Sequence, residues 1–129
     1  HAAPKDAVTE LDALYDVYKD IIKEWKTDNI LFLGDFNADC SYVKADDWAN
    51  IRLRADDRFE WLIPDTMDTT VAHTHCAYDR IVASGAAMKK AIVPGSACIF
   101  DFQEAFGLTT EEALEISDHF PVELDLKEG

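Results

Sequence analysis

The most constraining feature of the sequence is an amphipathic helical stripe followed directly by an apolar strand. Within residues 4–26 the apolar side chains recur every three or four positions, at Val8, Leu11, Tyr15, Tyr18, Ile22 and Trp25. That spacing predicts one helix with a single apolar face. Residues 30–33 are continuously apolar, which is typical of a strand covered on both faces. A helix packed on such a strand requires a layered structure.

Shorter patterns predict a mixed order of helices and strands along the rest of the chain. We expect further strands at residues 59–63, 68–71, 79–83, 89–93 and 120–126. Thr109 and Glu112 have the spacing of a capping box, so a short helix should begin there. No internal repeat or linker divides the chain. The sequence therefore predicts one mixed α/β (α+β) unit.

The composition excludes several classes of protein. Apolar residues make up 48% of the 129 residues, too many for a disordered chain. No apolar run approaches the roughly 18 residues of a membrane span, so we expect no membrane partner. The net charge of −14 excludes a strongly basic nucleic-acid clamp, and any nucleic acid would need a local basic patch or a bound metal. Because the opening at His1 reads as the middle of a protein, we expect a fragment or a processed product.

Four groups of polar residues interrupt the apolar runs, and three of them border predicted strands. The groups are His1; Asp35 and Asn37 in GDFN; Asp79 in CAYDR; and Asp118 with His119 in SDHF. Buried carboxylates are costly unless they are paired or bound to a metal, so several at strand ends predict one shared site. Each aspartate could instead cap a turn on its own.

The residue types in these groups suit hydrolysis of a phosphate ester. The oxygen atoms of Asp35, Asn37 and Asp118 are ligands for Mg²⁺ or Ca²⁺ rather than for a softer ion. His119 can act as an acid or a base near neutral pH, and Asp79 can fix its tautomer. Metal, acid and base together indicate phosphodiester chemistry.

The motifs GDFN, CAYDR and SDHFPV, in this order, resemble those of the deoxyribonuclease I family, within the endonuclease/exonuclease/phosphatase superfamily. The segments CSYV, WLIPD, DTT, THCAYDR and FDFQ narrow the resemblance to secreted nucleases, from His1 to about Lys127. The resemblance implies the second half of a four-layer α-β-β-α sandwich. Residues 1–129 would be the C-terminal lobe of a single catalytic domain whose N-terminal half is absent.

The resemblance also implies a role for individual residues. The two catalytic histidines would be His1 and His119, and Asp79 would pair with His119. The group that binds Mg²⁺ and the scissile phosphate would be Asp35, Asn37 and Asp118. Further metal ligands, and the carboxylate that pairs with His1, would lie in the absent half. Which histidine is the acid and which the base stays open.

Binding and structural residues follow from the same resemblance. A structural Ca²⁺ loop would use Asp68, Thr70 and Thr74, and the DNA backbone would be contacted by Tyr42, Thr74 and Tyr78. The spacing of the three cysteines does not pair them, but the resemblance pairs Cys40 with Cys76. Such a bridge indicates an oxidising compartment and so a secreted protein, and we expect Cys98 to be a buried free thiol. The arginines 52, 54 and 58 either face DNA phosphates or form an ordinary exposed face.

Three functions fit these observations. The first is a divalent-metal-dependent endonuclease that hydrolyses double-stranded DNA to 5′-phosphate products. A phosphodiesterase for lipid or inositol phosphates shares GDFN and SDH but does not predict CSYV or THCAYDR. The third is an inactive lobe with a binding or structural role, and we expect the isolated fragment to be inactive because half of the domain is absent.

Overall fold

The amphipathic stripe forms the predicted helix in the computed structural model, which describes residues 1–128. A 3₁₀ turn, Pro4–Asp6, leads into helix α1, Ala7–Trp25, and Pro4 suits this first turn because its missing N–H needs no partner there. Lys26 ends α1 in the left-handed conformation, with φ of 55°. Trp25 was predicted on the apolar stripe but is 73% exposed, because the last turn of α1 extends past the core.

Three strands form the sheet on which α1 packs. They are β1, Ile30–Asp35; β2, Glu60–Trp61; and β3, Asp79–Ser84. Both pairings are antiparallel in the order β1-β3-β2, and β1 aligns with β3 from Ile30 opposite Ser84 to Asp35 opposite Asp79. Leu33 was expected to be covered but is 64% exposed, because alternate side chains of β1 face opposite sides and only one side is covered.

Short elements complete the described chain. They are the 3₁₀ helix Ala45–Asn50; α2, Arg52–Ala55; α3, Ala86–Ala91; β4, Cys98–Ile99; α4, Phe102–Ala105; α5, Thr110–Ile116; and β5, Val122–Glu123. β4 and β5 pair antiparallel in a second, two-stranded sheet. The capping box is confirmed, since the Glu112 N–H donates to Thr109 Oγ1 and the Thr109 N–H donates to Glu112 Oε1. The mixed α/β prediction is confirmed.

One predicted strand is wrong and three are shorter than predicted. Residues 59–63 keep only the two residues of β2. Residues 89–93 were expected to be extended, but helix α3 occupies most of them, because AAMKKA consists of strong helix formers. Gly85 precedes α3 with φ of 90°, where a side chain would meet the Asp28 carbonyl at 2.6 Å. Residues 68–71 make only an isolated bridge, and residues 120–126 keep a two-residue strand with a second bridge at Leu126.

Two apolar clusters hold these elements together. The larger one joins α1 to the first sheet through Leu11, Tyr18, Phe32 and Phe59. The ring of Phe59 meets those of Tyr18 and Phe32 edge to face. The smaller one packs Phe102, Ala113 and Phe120 beneath α4 and α5. Within residues 1–128, we find no helix with the length and hydropathy that a membrane crossing requires.

An open apolar groove of about 530 Å³ lies between the two sheets. Its walls include Leu33 and Ile81 from the first sheet and Phe100, Phe106 and Val122 from the second sheet and its neighbouring segments. Phe106 is 67% exposed, so the groove presents large apolar side chains to solvent. The same groove ends at Asp35, Asp79 and His119.

Candidate active site

The register between β1 and β3 brings two of the predicted site residues together. Asp35 ends β1 and Asp79 begins β3, and the two are partners in the antiparallel ladder. Directly paired residues project to the same face of a sheet, so both carboxylates lie at one corner of it. Asp79 is buried and Asp35 is half-buried.

His119 reaches this corner from the segment that precedes β5. A backbone bridge joins His119 to Thr70, and the Ser117 hydroxyl accepts the His119 N–H at 3.0 Å. The His119 Nδ1 lies 2.6 Å from Asp79 Oδ2, which is a short, charge-assisted hydrogen bond. The Nε2 atom lies 3.6 Å from Asp35 Oδ2. His119 is therefore held by one carboxylate and faces the other.

The surroundings shift the pKa of His119 upward. Burial lowers the pKa of the imidazole, but the hydrogen bond to Asp79 and the charges of the neighbouring carboxylates outweigh that effect. The protonated form of His119 therefore stabilises the folded chain below the unfolded-state pKa of about 6.5. That contribution is lost as the pH rises through the higher folded-state pKa.

We predict that Asp79→Asn lowers the pKa of His119, because it removes the charge that offsets the burial of the imidazole. The measurement is an NMR titration of the His119 ring protons in the complete protein, with a chelator present. Asp118→Asn is the matched control, since the Asp118 side chain is 78% exposed and its Oδ1 lies 3.8 Å from His119 Nε2. The control should lower the pKa less, and a pKa that is unchanged in Asp79→Asn would contradict the prediction.

A tight turn after β1 places Asn37 and the start of the chain against the same corner. Asn37 adopts φ of 46°, and its N–H donates to Asp35 Oδ1 at 3.0 Å. Its side-chain amide donates to the Ala2 carbonyl at 2.7 Å, and the Ala2 N–H donates to the Asp35 carbonyl at 2.9 Å. These bonds set His1 beside the site, with Nε2 at 3.9 Å from Asp35 Oδ2.

The residues that lie closest together in the structure differ from the predicted Mg²⁺ ligands, Asp35, Asn37 and Asp118. The ligand atoms of Asp35, Asp79 and His119 all lie within 4.8 Å of one another. Asn37 is buried next to Asp35, whereas Asp118 is exposed at the rim. All of the predicted catalytic residues thus lie around Asp35, with Asp79 and His119 in closest contact.

The residues of the predicted Ca²⁺ loop are also close together. Asp68 Oδ1 accepts hydrogen bonds from the Thr70 hydroxyl at 2.6 Å and from the Thr70 N–H at 2.9 Å. The Thr70 hydroxyl also lies 2.9 Å from the Thr74 hydroxyl. One carboxylate, two hydroxyls and the Thr74 carbonyl oxygen, 2.8 Å from Thr70 Oγ1, therefore share one small loop of hard oxygen donors.

Cys40 and Cys76 form a disulfide that ties this loop to the turn after β1, as predicted. The bridge closes 36 residues and contributes about 4 kcal/mol in the chain-entropy model. Tyr42 and Tyr78 lie near the two cysteines in sequence, and their rings are tilted by 34° with their centres 5.5 Å apart. Cys98 is free, but it is half-buried rather than buried and lies 3.6 Å from Glu123 Oε1.

The three arginines that were candidates for DNA phosphates are all paired with carboxylates. Their ion-pair partners are Asp12 and Asp16 for Arg52, Asp65 for Arg54, and Asp56 for Arg58. Arg52 and Arg58 also cover the ring of Tyr15. These contacts favour the interpretation of an ordinary charged face.

Two buried residues that support the site, Thr69 and Arg80, were not among the predicted site residues. Thr69 donates its hydroxyl hydrogen to Asp79 Oδ2 at 2.7 Å. Arg80 is completely buried next to Asp79, and its guanidinium donates to the carbonyl oxygens of Ala38, Ile63 and Ala77 and to Asp65 Oδ1. A charged residue inside an apolar strand pattern was the signal for Arg80. A hydroxyl beside Asp68 gave no comparable signal for Thr69.

We predict that Arg80→Met lowers the free energy of unfolding by about 3 kcal/mol or more, because buried carbonyl groups lose their donors. Denaturant unfolding of the complete protein measures this. Arg54→Met is the matched control, because Arg54 is partly exposed and binds the same Asp65. It should cost about 1 kcal/mol or less. Equal losses of unfolding free energy in the two variants would contradict the expected stabilising role of the buried Arg80 hydrogen bonds.

Comparison with known proteins shows the family of the chain. The chain is 65% identical over 127 residues to "Deoxyribonuclease-1-like 2" of Homo sapiens, 58% identical to "Deoxyribonuclease-1" of Sus scrofa and 56% identical to that of Bos taurus. The matches cover 98% of this chain but 42%, 45% and 45% of the three relatives. It therefore spans less than half of their length. Residues 1–119, which include every predicted catalytic residue, match the Endonuclease/Exonuclease/phosphatase family, and the chain belongs to that family.

Proposed function

We propose that the complete protein containing this chain is a divalent-metal-dependent endonuclease that hydrolyses DNA and leaves 5′-phosphate ends. The observation that carries the proposal is the pairing of His119 with Asp79. His119 Nδ1 lies 2.6 Å from Asp79 Oδ2, and His119 Nε2 faces Asp35. The names of the deoxyribonuclease relatives support DNA as the substrate. Residues 1–129 would be the C-terminal lobe of one catalytic domain, and the N-terminal half of that domain would complete it.

His119 handles a proton in the proposed reaction. When Nδ1–H donates to Asp79, the Nε2 atom is free to take up or release a proton on the side of Asp35. His1 approaches Asp35 as well, at 3.9 Å. One histidine activates the attacking water, and the other protonates the leaving 3′ oxygen.

The residues around Asp35 fit a hard divalent cation. Asp35 and Asp118 supply carboxylate oxygens and Asn37 an amide oxygen, the donor types that Mg²⁺ prefers. When bound, Mg²⁺ would offset the negative charge that develops on the phosphate. His119 and Asp79 are engaged with each other, so we assign this pair to proton transfer rather than to the metal.

The DNA backbone would approach the site over an aromatic surface. Tyr78 lies 5.5 Å from Tyr42 and 6.4 Å from His119, measured between ring centres. Thr74 lies in the loop at residues 68–76, and the Cys40–Cys76 disulfide ties this loop to the turn that carries Tyr42. Because the chain carries a net charge of −14, we expect DNA binding to be weak and to depend on metal ions for charge screening.

We further propose that the protein is secreted and that its loop at residues 68–76 binds Ca²⁺. The Cys40–Cys76 disulfide supports an oxidising compartment. The Thr70 hydroxyl oxygen lies within hydrogen-bond distance of both the Asp68 carboxylate and the Thr74 hydroxyl, so the three oxygen donors are close together. An ion bound there would order a loop that the disulfide already ties to the active-site turn.

We predict that Ca²⁺ raises the melting temperature of the complete protein and that Asp68→Ala removes this increase, because a ligand that binds only the folded state stabilises it. Differential scanning calorimetry with and without Ca²⁺ measures the shift. Asp57→Ala is the control, since Asp57 is an exposed aspartate outside this loop, and it should keep the whole shift. An unchanged Ca²⁺ response in Asp68→Ala would exclude the assignment.

Cleavage assays on the complete protein test the proposed function directly. We expect supercoiled plasmid DNA to be nicked with Mg²⁺ and to stay intact with EDTA, and the new ends to carry 5′-phosphate. Sphingomyelin, presented in micelles, tests the lipid phosphodiesterase alternative and should stay uncleaved. Hydrolysis of sphingomyelin without nicking of plasmid would overturn the nuclease proposal.

A further inference from the structure

The Thr69 hydroxyl is a fully buried polar group that contacts the active site at Asp79. Its oxygen lies 2.7 Å from Asp79 Oδ2 and 3.3 Å from the Cys76 carbonyl oxygen. A hydroxyl has one hydrogen to donate, and the shorter contact is to the charged acceptor, so the hydrogen goes to Asp79. The oxygen accepts the N–H groups of Tyr78 and Asp79 at 3.2 and 3.3 Å.

Two donors therefore meet on one carboxylate oxygen. Asp79 Oδ2 receives the Thr69 hydroxyl at 2.7 Å and the His119 ring nitrogen at 2.6 Å. A carboxylate with a single partner can turn about its terminal torsion, which has a broad energy well. The second hydrogen bond restricts that rotation, so the oxygen that binds His119 stays in one position.

The backbone of Thr69 is attached to both sides of the same pair. Its N–H donates to the Cys76 carbonyl at 2.9 Å, in the segment that leads into Asp79. Its carbonyl accepts the N–H of Phe120, the residue after His119, at 2.8 Å. One residue thus fixes the segment that carries Asp79, the segment that carries His119, and the hydrogen bond between the two side chains.

We propose that Thr69 is a positioning residue for His119, which acts through Asp79; this inference rests on the proposed nuclease function. The Thr69 hydroxyl is fully buried and bonds to Asp79 and to the Tyr78 N–H rather than to Asp35. Its loss should therefore slow the proton-transfer step and leave substrate binding unchanged. In kinetic terms, kcat falls while KM is preserved.

The test compares Thr69→Val with Thr69→Ser in the complete protein. Valine keeps the shape of threonine without the hydroxyl, whereas serine keeps the hydroxyl without the methyl group. We expect Thr69→Val to lower kcat for plasmid cleavage with Mg²⁺ by about tenfold or more, with KM within about twofold. Thr69→Ser should retain most of the activity. A wild-type kcat in Thr69→Val, or equal losses in the two variants, would overturn the proposal.

A second variant and a second kind of measurement support the test. If Thr69→Val does not fold, Thr69→Ala replaces it with the same expectation. Nitrogen NMR of the His119 ring in the metal-free protein does not depend on nuclease activity. Removal of the hydroxyl should raise the fraction of the ring that carries its hydrogen on Nε2, and an unchanged fraction would count against the role of Thr69. If the wild-type protein cleaves no DNA but Thr69→Val shows this change in the His119 ring, the nuclease function is overturned and the positioning role of Thr69 is still supported.

Discussion

Replacing His119 by alanine in the complete protein should lower the rate of plasmid cleavage by about 100-fold or more, the usual scale for a general acid or base. The imidazole is the one group that touches Asp79 at 2.6 Å and also approaches Asp35 at 3.6 Å. No other side chain within residues 1–128 makes both contacts, so no neighbour replaces it. Steady-state rates on supercoiled plasmid with Mg²⁺ measure the loss.

The same substitution at His73 is the matched control. His73 is exposed in the loop at residues 68–76 and lies outside the group of Asp35, Asp79 and His119. His73→Ala should cleave plasmid at nearly the wild-type rate. Asp79→Asn should lose less than His119→Ala, because it removes the group that orients the imidazole and leaves the imidazole itself. A near-normal rate in folded His119→Ala would exclude the proposed role of His119.

The longest elements could be predicted from the sequence because each carries several apolar residues in a recognisable pattern. Helix α1 has an apolar stripe at the helical period, strands β1 and β3 contain short apolar runs, and their predicted limits match the structure within a few residues. The capping box at Thr109 was also a sufficient signal, since both of its hydrogen bonds form locally. Local chemistry decided these elements.

The short elements were harder to predict because tertiary contacts decide them. The segment at residues 89–93 ends in three consecutive apolar residues, yet the helix formers before it and the Met88 N–H bonded to Asn29 Oδ1 favour α3. Strands β2 and β4 contain two residues each, and α2 and α4 contain four each, too few to show a period. Trp25 fits the apolar stripe and is nevertheless exposed, since the pattern does not show where the sheet ends.

The active-site motifs predicted the residues that meet, but not the supports behind them. Polar residues at the ends of apolar strands pointed to Asp35, Asp79 and His119, and the structure brings the three together. The hydrogen bond from Thr69 and the buried contacts of Arg80 join segments that are distant in sequence, by up to 42 residues for Ala38. No pattern along the chain reports such pairings.

Residues 1–129, when produced alone, should associate in solution. The open groove exposes Leu33, Phe106 and Ile116, each more than 60% accessible, between the two sheets. Contiguous apolar surface of this kind favours association. Analytical ultracentrifugation over a range of concentrations measures the effect. Leu33→Lys should shift the isolated chain toward monomer, because a charge on the wall of the groove opposes its burial. A monodisperse, cooperatively melting monomer of the unmodified chain would contradict this expectation.

The isolated chain should also show no measurable DNA cleavage, although it contains every catalytic residue assigned above. His1 is exposed, and its only acidic neighbour within 4 Å in residues 1–128 is Asp35, which also faces His119. Asp79 orients His119, but among the described residues His1 has only Asp35, which is also assigned to the cation. We therefore expect the remaining length of the protein to supply the carboxylate that orients His1 and further metal ligands. Adding the N-terminal half as a separate polypeptide should restore plasmid nicking with Mg²⁺. The same addition should not restore nicking when residues 1–129 carry His119→Ala. Cleavage by residues 1–129 alone would show that this lobe is a sufficient catalyst.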